Sequence, residues 1–198
     1  MAPALAPWKE QSYMREPAAL WIPSPSYFPL RHGHQPRFII LHGTAGFNSA
    51  AEVGRFFQTA GVATHYTIGR EGSIICSVDE DHGAWSNGFI SGTPGPAGDG
   101  IHHDPWWSKD LNPNLLTISI EHVKPSRDNS DELTNPQAVA SFRLVRSICL
   151  RHRIPARPAD AQGGITGHFS MDPLNRNFCP GPYPWAELFA FLAEQETS

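Results

Sequence analysis

The sequence predicts an α/β fold, a single domain in which a central mixed β-sheet is flanked by helices. Three observations carry that reading. Short apolar runs of strand length occur at Phe38–His42, His65–Ile68, Ser73–Val78 and Leu115–Val123. Between and after them lie longer segments, Asn48–Ala60, Asn135–Arg153 and Pro184–Glu194, whose apolar residues recur at helical spacing. At 198 residues and 40% hydrophobic content, the chain is long enough to bury one real core and short for two.

Residues 1–36 form an arm rich in proline and aromatics, with Trp8, Tyr13, Trp21, Tyr27 and Phe28. It is too aromatic for plain disorder and is expected to pack on the domain formed by residues 37–198. His32 and His34, in its last loop, are expected to face solvent. Phe38–His42 is the first core strand, bounded by glycine and proline. Ser49-Ala-Ala-Glu52 has capping-box form, Val53, Phe56 and Phe57 share a face, and Gly61 stops that helix. The turn Gly69-Arg-Glu-Gly72 joins the next two strands as a hairpin. An irregular stretch from Asp81 to Asn114 carries Trp85, His102, His103, Trp106 and Trp107. It reads equally as a packed surface loop or as the wall of a binding groove. In Leu115–Val123, Thr117, Ser119 and Glu121 alternate with Ile118 and Ile120, so the two sets face opposite ways. Asn135 caps the longest helix, Pro136 takes its first position and Pro155 ends it. Val139, Phe142, Val145, Ile148 and Cys149 supply its apolar face. Gly163–Gly167 is a last short strand that delivers His168, and His168–Gly181 is expected as a fixed loop because it holds Pro173, Pro180 and Gly181.

Composition excludes several functions. The net charge is −4, and no dense Lys/Arg cluster gives the basic face that a nucleic-acid binder shows. Arg143, Arg146, Arg151 and Arg153 read as a solvated helix face. Three cysteines, Cys76, Cys149 and Cys179, are too few and odd in number for a disulfide framework. Cys76 and Cys149 read as small core residues, with a bridge between them left open. No run is long and apolar enough for membrane insertion. Met1–Lys9 lacks the basic and apolar regions of a signal peptide, so the protein acts in the cytoplasm, crosses by another route, or has lost a signal.

The candidate chemistry lies at two places. His42 ends an apolar run and is followed by the turn Gly43-Thr44-Ala45-Gly46; His168 and Cys179 bracket a proline-bearing stretch. Two imidazoles and a thiol make three metal ligands and leave a fourth tetrahedral position for water, as in a catalytic zinc site. Spacing alone does not single out this triple, because ten histidines offer many. A nucleophilic Cys179 with a histidine partner is the competing chemistry.

Leu41-His-Gly-Thr44, Val62-Ala-Thr-His65-Tyr-Thr-Ile68, Asn114-Leu-Leu-Thr-Ile-Ser-Ile-Glu121 and Gly167-His168…Cys179-Pro-Gly181 occur in that order between Arg37 and Trp185. This series resembles the type 2 N-acetylmuramoyl-L-alanine amidases, a family of phage T7 lysozyme-like endolysins, bacterial recycling amidases and peptidoglycan recognition proteins. The resemblance implies that family's α/β fold, a Zn2+ ion on His42, His168 and Cys179, and a peptidoglycan (muropeptide) substrate handled by a monomer. It implies hydrolysis of the amide between N-acetylmuramic acid and L-alanine. Glu121 matches the catalytic carboxylate of the bacterial members. A charged residue inside a strand also needs a face open to a cleft. Thr64 stands where the phage-type and recognition branches carry Tyr, which places the chain in the Glu-dependent branch. His65 matches a residue frequent beside the zinc; a core histidine is the equal alternative. Thr44, Thr64, His65, Trp85 and Asn87 are the implied substrate contacts. Trp85-Ser-Asn-Gly88 departs from the Trp-His-Ala-Gly of many relatives, which leaves that histidine's polar contact in question. Some relatives carry Lys two residues before the third ligand; here Asn177 or the neighbouring Arg176 is the candidate to assist the oxyanion. The expected role is endolysin-like, with the protein released to the wall by a separate pore-former. The alternatives are a cytoplasmic muropeptide-recycling amidase and a non-catalytic peptidoglycan-binding protein.

Overall fold

The runs richest in isoleucine form the middle of the molecule, as β-branched side chains suit a pleated surface covered on both sides. The structure, a computed structural model, describes residues 14–194. Its strands are β1 (Leu20–Trp21), β2 (Tyr27–Phe28), β3 (Phe38–Gly43), β4 (Tyr66–Ile68), β5 (Ile74–Cys76), β6 (Gly83–Ala84), β7 (Thr93–Pro94), β8 (His102–His103), β9 (Thr117–His122) and β10 (Gly164–Gly167). Its helices are α1 (Ala50–Phe57), α2 (Asn135–His152), α3 (Pro173–Arg176) and α4 (Trp185–Ala193). The main sheet is six-stranded and mixed, in the order β1-β5-β4-β9-β3-β10. β4, β9, β3 and β10 run parallel, and β5 turns back antiparallel on β4 as the hairpin predicts.

Register decides which side chains go where. β3 pairs with β9 so that Ile39 lies level with Ile118 and Leu41 with Ile120. These four enter the core that α2 and α4 cover with Leu144, Val145, Ile148, Leu188 and Leu192. The alternate positions, Phe38, Ile40, Thr117 and Ser119, are buried on the opposite face, where Trp107 and Met171 pack on Phe38 and Ile40. Each of the large apolar side chains in these two layers contributes roughly 1.5–3 kcal/mol by leaving water, so both layers hold β3 and β9 in place. No helix among the described residues is long and apolar enough to cross a membrane.

Several boundaries differ from expectation, each for a local reason. Ser49 caps α1 by accepting from the Glu52 N–H, so the helix begins at Ala50 rather than Asn48. Thr134, not Asn135, caps α2 by accepting from Gln137 N, and Arg153 ends it in a left-handed conformation with φ 56°. Pro113–Leu115 is a 3-10 turn, so β9 starts at Thr117. His168–Gly181 is not a plain loop. It contains a 3-10 turn at His168–Ser170 and the short helix α3, where Pro173 needs no N–H partner at the first position. Cys76 and Cys149 are buried and unbridged.

The described part of the arm runs along the sheet. β1 extends it beside β5, and β2 pairs with β6; Trp8 and Tyr13 lie outside the described residues. Leu30, Arg31 and His32 form a left-handed turn with φ near 48°, a conformation costing about 1–2 kcal/mol per residue. The buried Arg31 offsets this. Its Nε donates to Glu80 O and its Nη1 to the carbonyls of Asn114, Leu115 and Thr117. His32 and His34 are exposed, as expected. The fully buried Glu80 carboxylate accepts from Tyr66, Arg151 and His152, tying the end of α2 to the sheet.

Candidate metal centre and active site

Three parallel strands bring the chemistry level at their carboxyl ends, where open α/β sheets bind their ligands. In β10 and β3, Gly167 pairs with Leu41; in β3 and β9, Leu41 pairs with Ile120 and His42 with Glu121. The residue after Gly167 is His168. One step past the same register row therefore presents His168, His42 and Glu121 side by side. The turn through α3 returns Cys179 to this row, with Cys179 O accepting from Phe169 N at 3.2 Å.

His42, His168 and Cys179 place their nitrogen and sulfur atoms within 4.8 Å of one another, the one such group of metal-ligand side chains among the described residues. His42 Nδ1 lies 3.1 Å from His168 Nδ1. His168 Nε2 is 2.9 Å from the Asn87 carbonyl, which only accepts, so the His168 proton sits on Nε2 and Nδ1 presents a lone pair. A proton or a cation must then separate the two facing Nδ1 atoms. Burial drives the His42 pKa well below its ordinary value and His168 down to about 4, so both rings are neutral at neutral pH. Burial pushes the Cys179 thiol up to about 12. Two neutral imidazoles and a buried thiol form a donor set suited to a borderline-soft divalent ion.

Glu121 stands on the strand face that opens to this group, while Ile118 and Ile120 enter the core. Its Oε2 is buried without a hydrogen-bond partner. Burial pushes its pKa up to about 8, opposed only by Arg176. Such a carboxyl can hold or release a proton near neutral pH, as a general acid–base group must.

These residues line a cleft of about 660 Å³, a volume within the usual range for ligand sites. Thr44, Trp85, Asn87 and Arg176 line it as well. Thr44 Oγ1 accepts from Lys124 N at 2.9 Å, tying the turn after β3 to the end of β9. Asn177 is not among the lining residues; it is exposed, and its amide lies against Gly100. Of the two oxyanion candidates, Arg176 is the one the cleft contains.

Thr64 and His65 are buried away from the cleft. Thr64 Oγ1 donates to Tyr66 O. His65 Nδ1 accepts from Ser119 N at 3.0 Å and its Nε2 donates to His82 O at 2.9 Å, which makes it a core histidine bracing β9. A polar residue at the start of a central strand points inward or outward by register alone, which a motif does not reveal.

The irregular stretch before β9 divides between its two expected roles. Trp85 to Phe89 form one wall of the cleft, and Trp107 is packed on Phe38 with ring centroids 4.6 Å apart. Two residues emerge to which sequence reasoning gave no role. Asn129, in a left-handed conformation with φ 60°, accepts from Ala45 N and donates to Gly43 O. A Cβ on Gly43 would meet Asn129 Oδ1 at 2.6 Å and Pro180 O at 2.7 Å, so the residue after His42 must be glycine. Asn114 Oδ1 accepts from the N–H groups of Ser86 and Asn87. The tolerance of asparagine for the left-handed region was the available signal for Asn129.

Fold and site together describe a mixed-sheet α/β domain with a candidate metal and acid–base site at the carboxyl ends of parallel strands. The model of the N-acetylmuramoyl-L-alanine amidase family matches residues 32–182. The chain belongs to that family and is an amidase. Among solved structures, a selenomethionine AmpD derivative superposes with a TM-score of 0.66 at 21% identity, over 90% of this chain and 96% of that one. AmpDh3 from Pseudomonas aeruginosa, solved with anhydromuramic pentapeptide, gives 0.58 at 25% identity over 92% of this chain and 64% of its own. AmiD from E. coli, solved with anhydro-N-acetylmuramic acid-L-Ala-D-gamma-Glu-L-Lys, gives 0.60 at 18% identity over 85% and 60%. Comparison with curated protein sequences gives no match.

Proposed function

We propose that the chain is a zinc-dependent N-acetylmuramoyl-L-alanine amidase that cleaves the amide between the lactyl group of N-acetylmuramic acid and L-alanine. The observation that carries this reading is the convergence of His42, His168 and Cys179 beside the unpaired carboxyl of Glu121 in one cleft. The three would hold the zinc, which when bound supplies Lewis acidity toward the scissile carbonyl and a lowered pKa for water. Glu121 takes the proton of the attacking water and returns it to the leaving L-alanine nitrogen. Arg176 faces the same cleft and offsets charge developing on the carbonyl oxygen. The exposed Phe89 and Val62, with Trp85, give the mouth apolar surface for the sugar and lactyl groups.

The role proposed is endolysin-like: a monomer, made in the cytoplasm, that attacks the wall after release by a separate pore-former. The family resemblance supports it. A second reading, hydrolysis of soluble anhydromuropeptides in recycling, is favoured by the likeness to AmpDh3, whose structure holds such a ligand. The test supplies zinc-loaded protein with intact sacculi and, separately, with a soluble anhydromuropeptide, and counts new L-alanine amino termini. Release from sacculi supports the wall-lytic role, and release from the soluble substrate alone supports recycling. No new amino termini from either, with zinc present and substrate bound, would leave a binding protein and overturn the proposal.

A further inference from the structure

A buried hydrogen-bonded chain that the chemistry of the cleft does not use runs on the face of β9 opposite Glu121. His122 Nδ1 lies 2.9 Å from the His42 carbonyl, and His122 Nε2 lies 2.8 Å from Ser141 Oγ. Ser141 Oγ lies in turn 2.8 Å from the Tyr183 hydroxyl. A carbonyl only accepts, so the His122 proton is on Nδ1. Burial lowers the pKa of this ring to about 4, which leaves it neutral and Nε2 an acceptor. Ser141 therefore donates to His122, and Tyr183 donates to Ser141. The order is fixed from end to end, with no donor of the chain left over.

His122 and Ser141 are fully buried and Tyr183 nearly so, against the apolar layer of Leu144, Val145 and Leu188. Taking polar groups out of water into such a layer costs free energy that packing alone does not require. A fully satisfied buried network instead rigidifies what it connects. This one connects the two ends of the metal group. His42 is the penultimate residue of β3, and the turn beyond it takes positive φ at Ala45 and Gly46. Tyr183 belongs to the segment that follows Cys179. The His122 and Tyr183 rings also meet edge-on, with centroids 5.3 Å apart. Lys124, just past β9, grips the same segment, its Nζ donating to Pro182 O at 2.8 Å.

We propose that His122 is a positioning residue for the metal site: it fixes the end of β3, which carries His42, to the segment that follows Cys179. Two ligands distant in sequence are thereby held at one spacing. His122 touches neither metal nor substrate and acts through the His42 carbonyl. This role rests on the zinc reading of the same site.

Two amide variants separate the contacts of the ring. The amide nitrogen of His122→Asn stands at the Nδ1 position and keeps the bond to the His42 carbonyl. The amide of His122→Gln reaches the Nε2 position and keeps the Ser141 contact alone. Zinc affinity of the full chain is measured by competition with a chelator, beside thermal melts of the metal-stripped proteins. Loss of an outer contact to a metal ligand costs about 10–100-fold in affinity, so His122→Gln should weaken zinc binding by that factor. His122→Asn should stay close to the wild type. The visible spectrum of the cobalt(II)-loaded protein should follow the same order, unchanged in His122→Asn and altered in His122→Gln. A ring that only filled space predicts the reverse order, because glutamine is nearer to histidine in volume. Ser141→Ala frees the ring to turn and should also weaken zinc binding, which keeps the test decisive if a His122 variant fails to fold. Wild-type zinc affinity in His122→Gln, lower affinity in His122→Asn than in His122→Gln, or losses that merely track the metal-free melting temperatures would each overturn the proposal and leave the zinc reading standing. A wild-type protein that takes up no zinc would overturn the zinc reading and this role with it.

Discussion

Single atoms at the cleft carry separable roles, and substitutions separate them. Replacing Cys179 with Ser exchanges a thiolate for a far poorer metal ligand, so zinc affinity should fall more than about a hundredfold, beyond the usual loss from an outer-shell change. Cys76→Ser and Cys149→Ser lie in the core and should keep their zinc, which elemental analysis would check. Glu121→Ala removes the proton acceptor and none of the three ligand atoms. Turnover should drop by about 10²–10⁴, roughly 3–5 kcal/mol of barrier, with zinc content and melting temperature retained. Wild-type turnover in that folded, zinc-loaded variant would remove Glu121 from the mechanism. The ordered motifs of the family resemblance, not residue types or spacing, picked out His42, His168, Cys179 and Glu121 as candidates, and the structure brings the four into one cleft. The motifs could not choose between Arg176 and Asn177, since the direction of each side chain follows from where α3 ends. Nor could they show that Thr64 and His65 turn away from the cleft.

Strands and helices of marked periodicity were legible to within a few residues, and the small elements between them were not. The 3.6-residue repeat of α2 is displayed by Val145, Ile148 and Cys149, which are buried, whereas Val139, expected on the same face, is exposed. β9 is buried on both faces, so its alternation of Thr117 and Ser119 with Ile118 and Ile120 separates a polar buried side from an apolar one. The left-handed turn at Leu30–His32 comes from Arg31 reaching carbonyls of Asn114, Leu115 and Thr117, far away in the chain. No local propensity announces it. The same holds for the anchoring of Asn87. Its Nδ2 donates to Thr117 Oγ1 at 2.8 Å, and its carbonyl accepts from His168. The side chain thus fixes to β9 the carbonyl that orients the candidate metal ligand His168, whereas the resemblance gave Asn87 a substrate contact. Asn87→Ala should weaken zinc binding by about 10–100-fold, measured by competition with a chelator. Unchanged zinc affinity would return Asn87 to the substrate side.

Across the whole molecule, the Glu80 cluster couples stability to pH. Burial acts to raise the Glu80 pKa, but hydrogen bonds from His152, Arg151 and Tyr66 outweigh it and hold the carboxyl at about 2, below its ordinary 4.5. A depressed carboxyl stabilises the fold above the unfolded-state value, and the contribution is lost as pH falls through the folded-state value. Glu80→Gln should therefore cost about 3 kcal/mol at neutral pH, with the deficit shrinking from about pH 4.5 down to about pH 2. Denaturant melts of both proteins across that range would show it; a deficit that did not change with pH would point to packing instead. The α/β class could be read from the order of periodic segments. The meeting of strands β3, β9 and β10 at one level could not, because parallel register is fixed by both faces packing at once. That meeting is what the function rests on, and product analysis tests it most directly. A defined muropeptide is digested by zinc-loaded protein in water enriched in heavy oxygen, and the fragments are weighed by mass spectrometry. Hydrolysis at the lactyl amide predicts heavy oxygen in the lactyl carboxylate and an unlabelled peptide with a free L-alanine amino terminus. A label on a sugar, cleavage within the peptide, or an intact substrate would contradict the account.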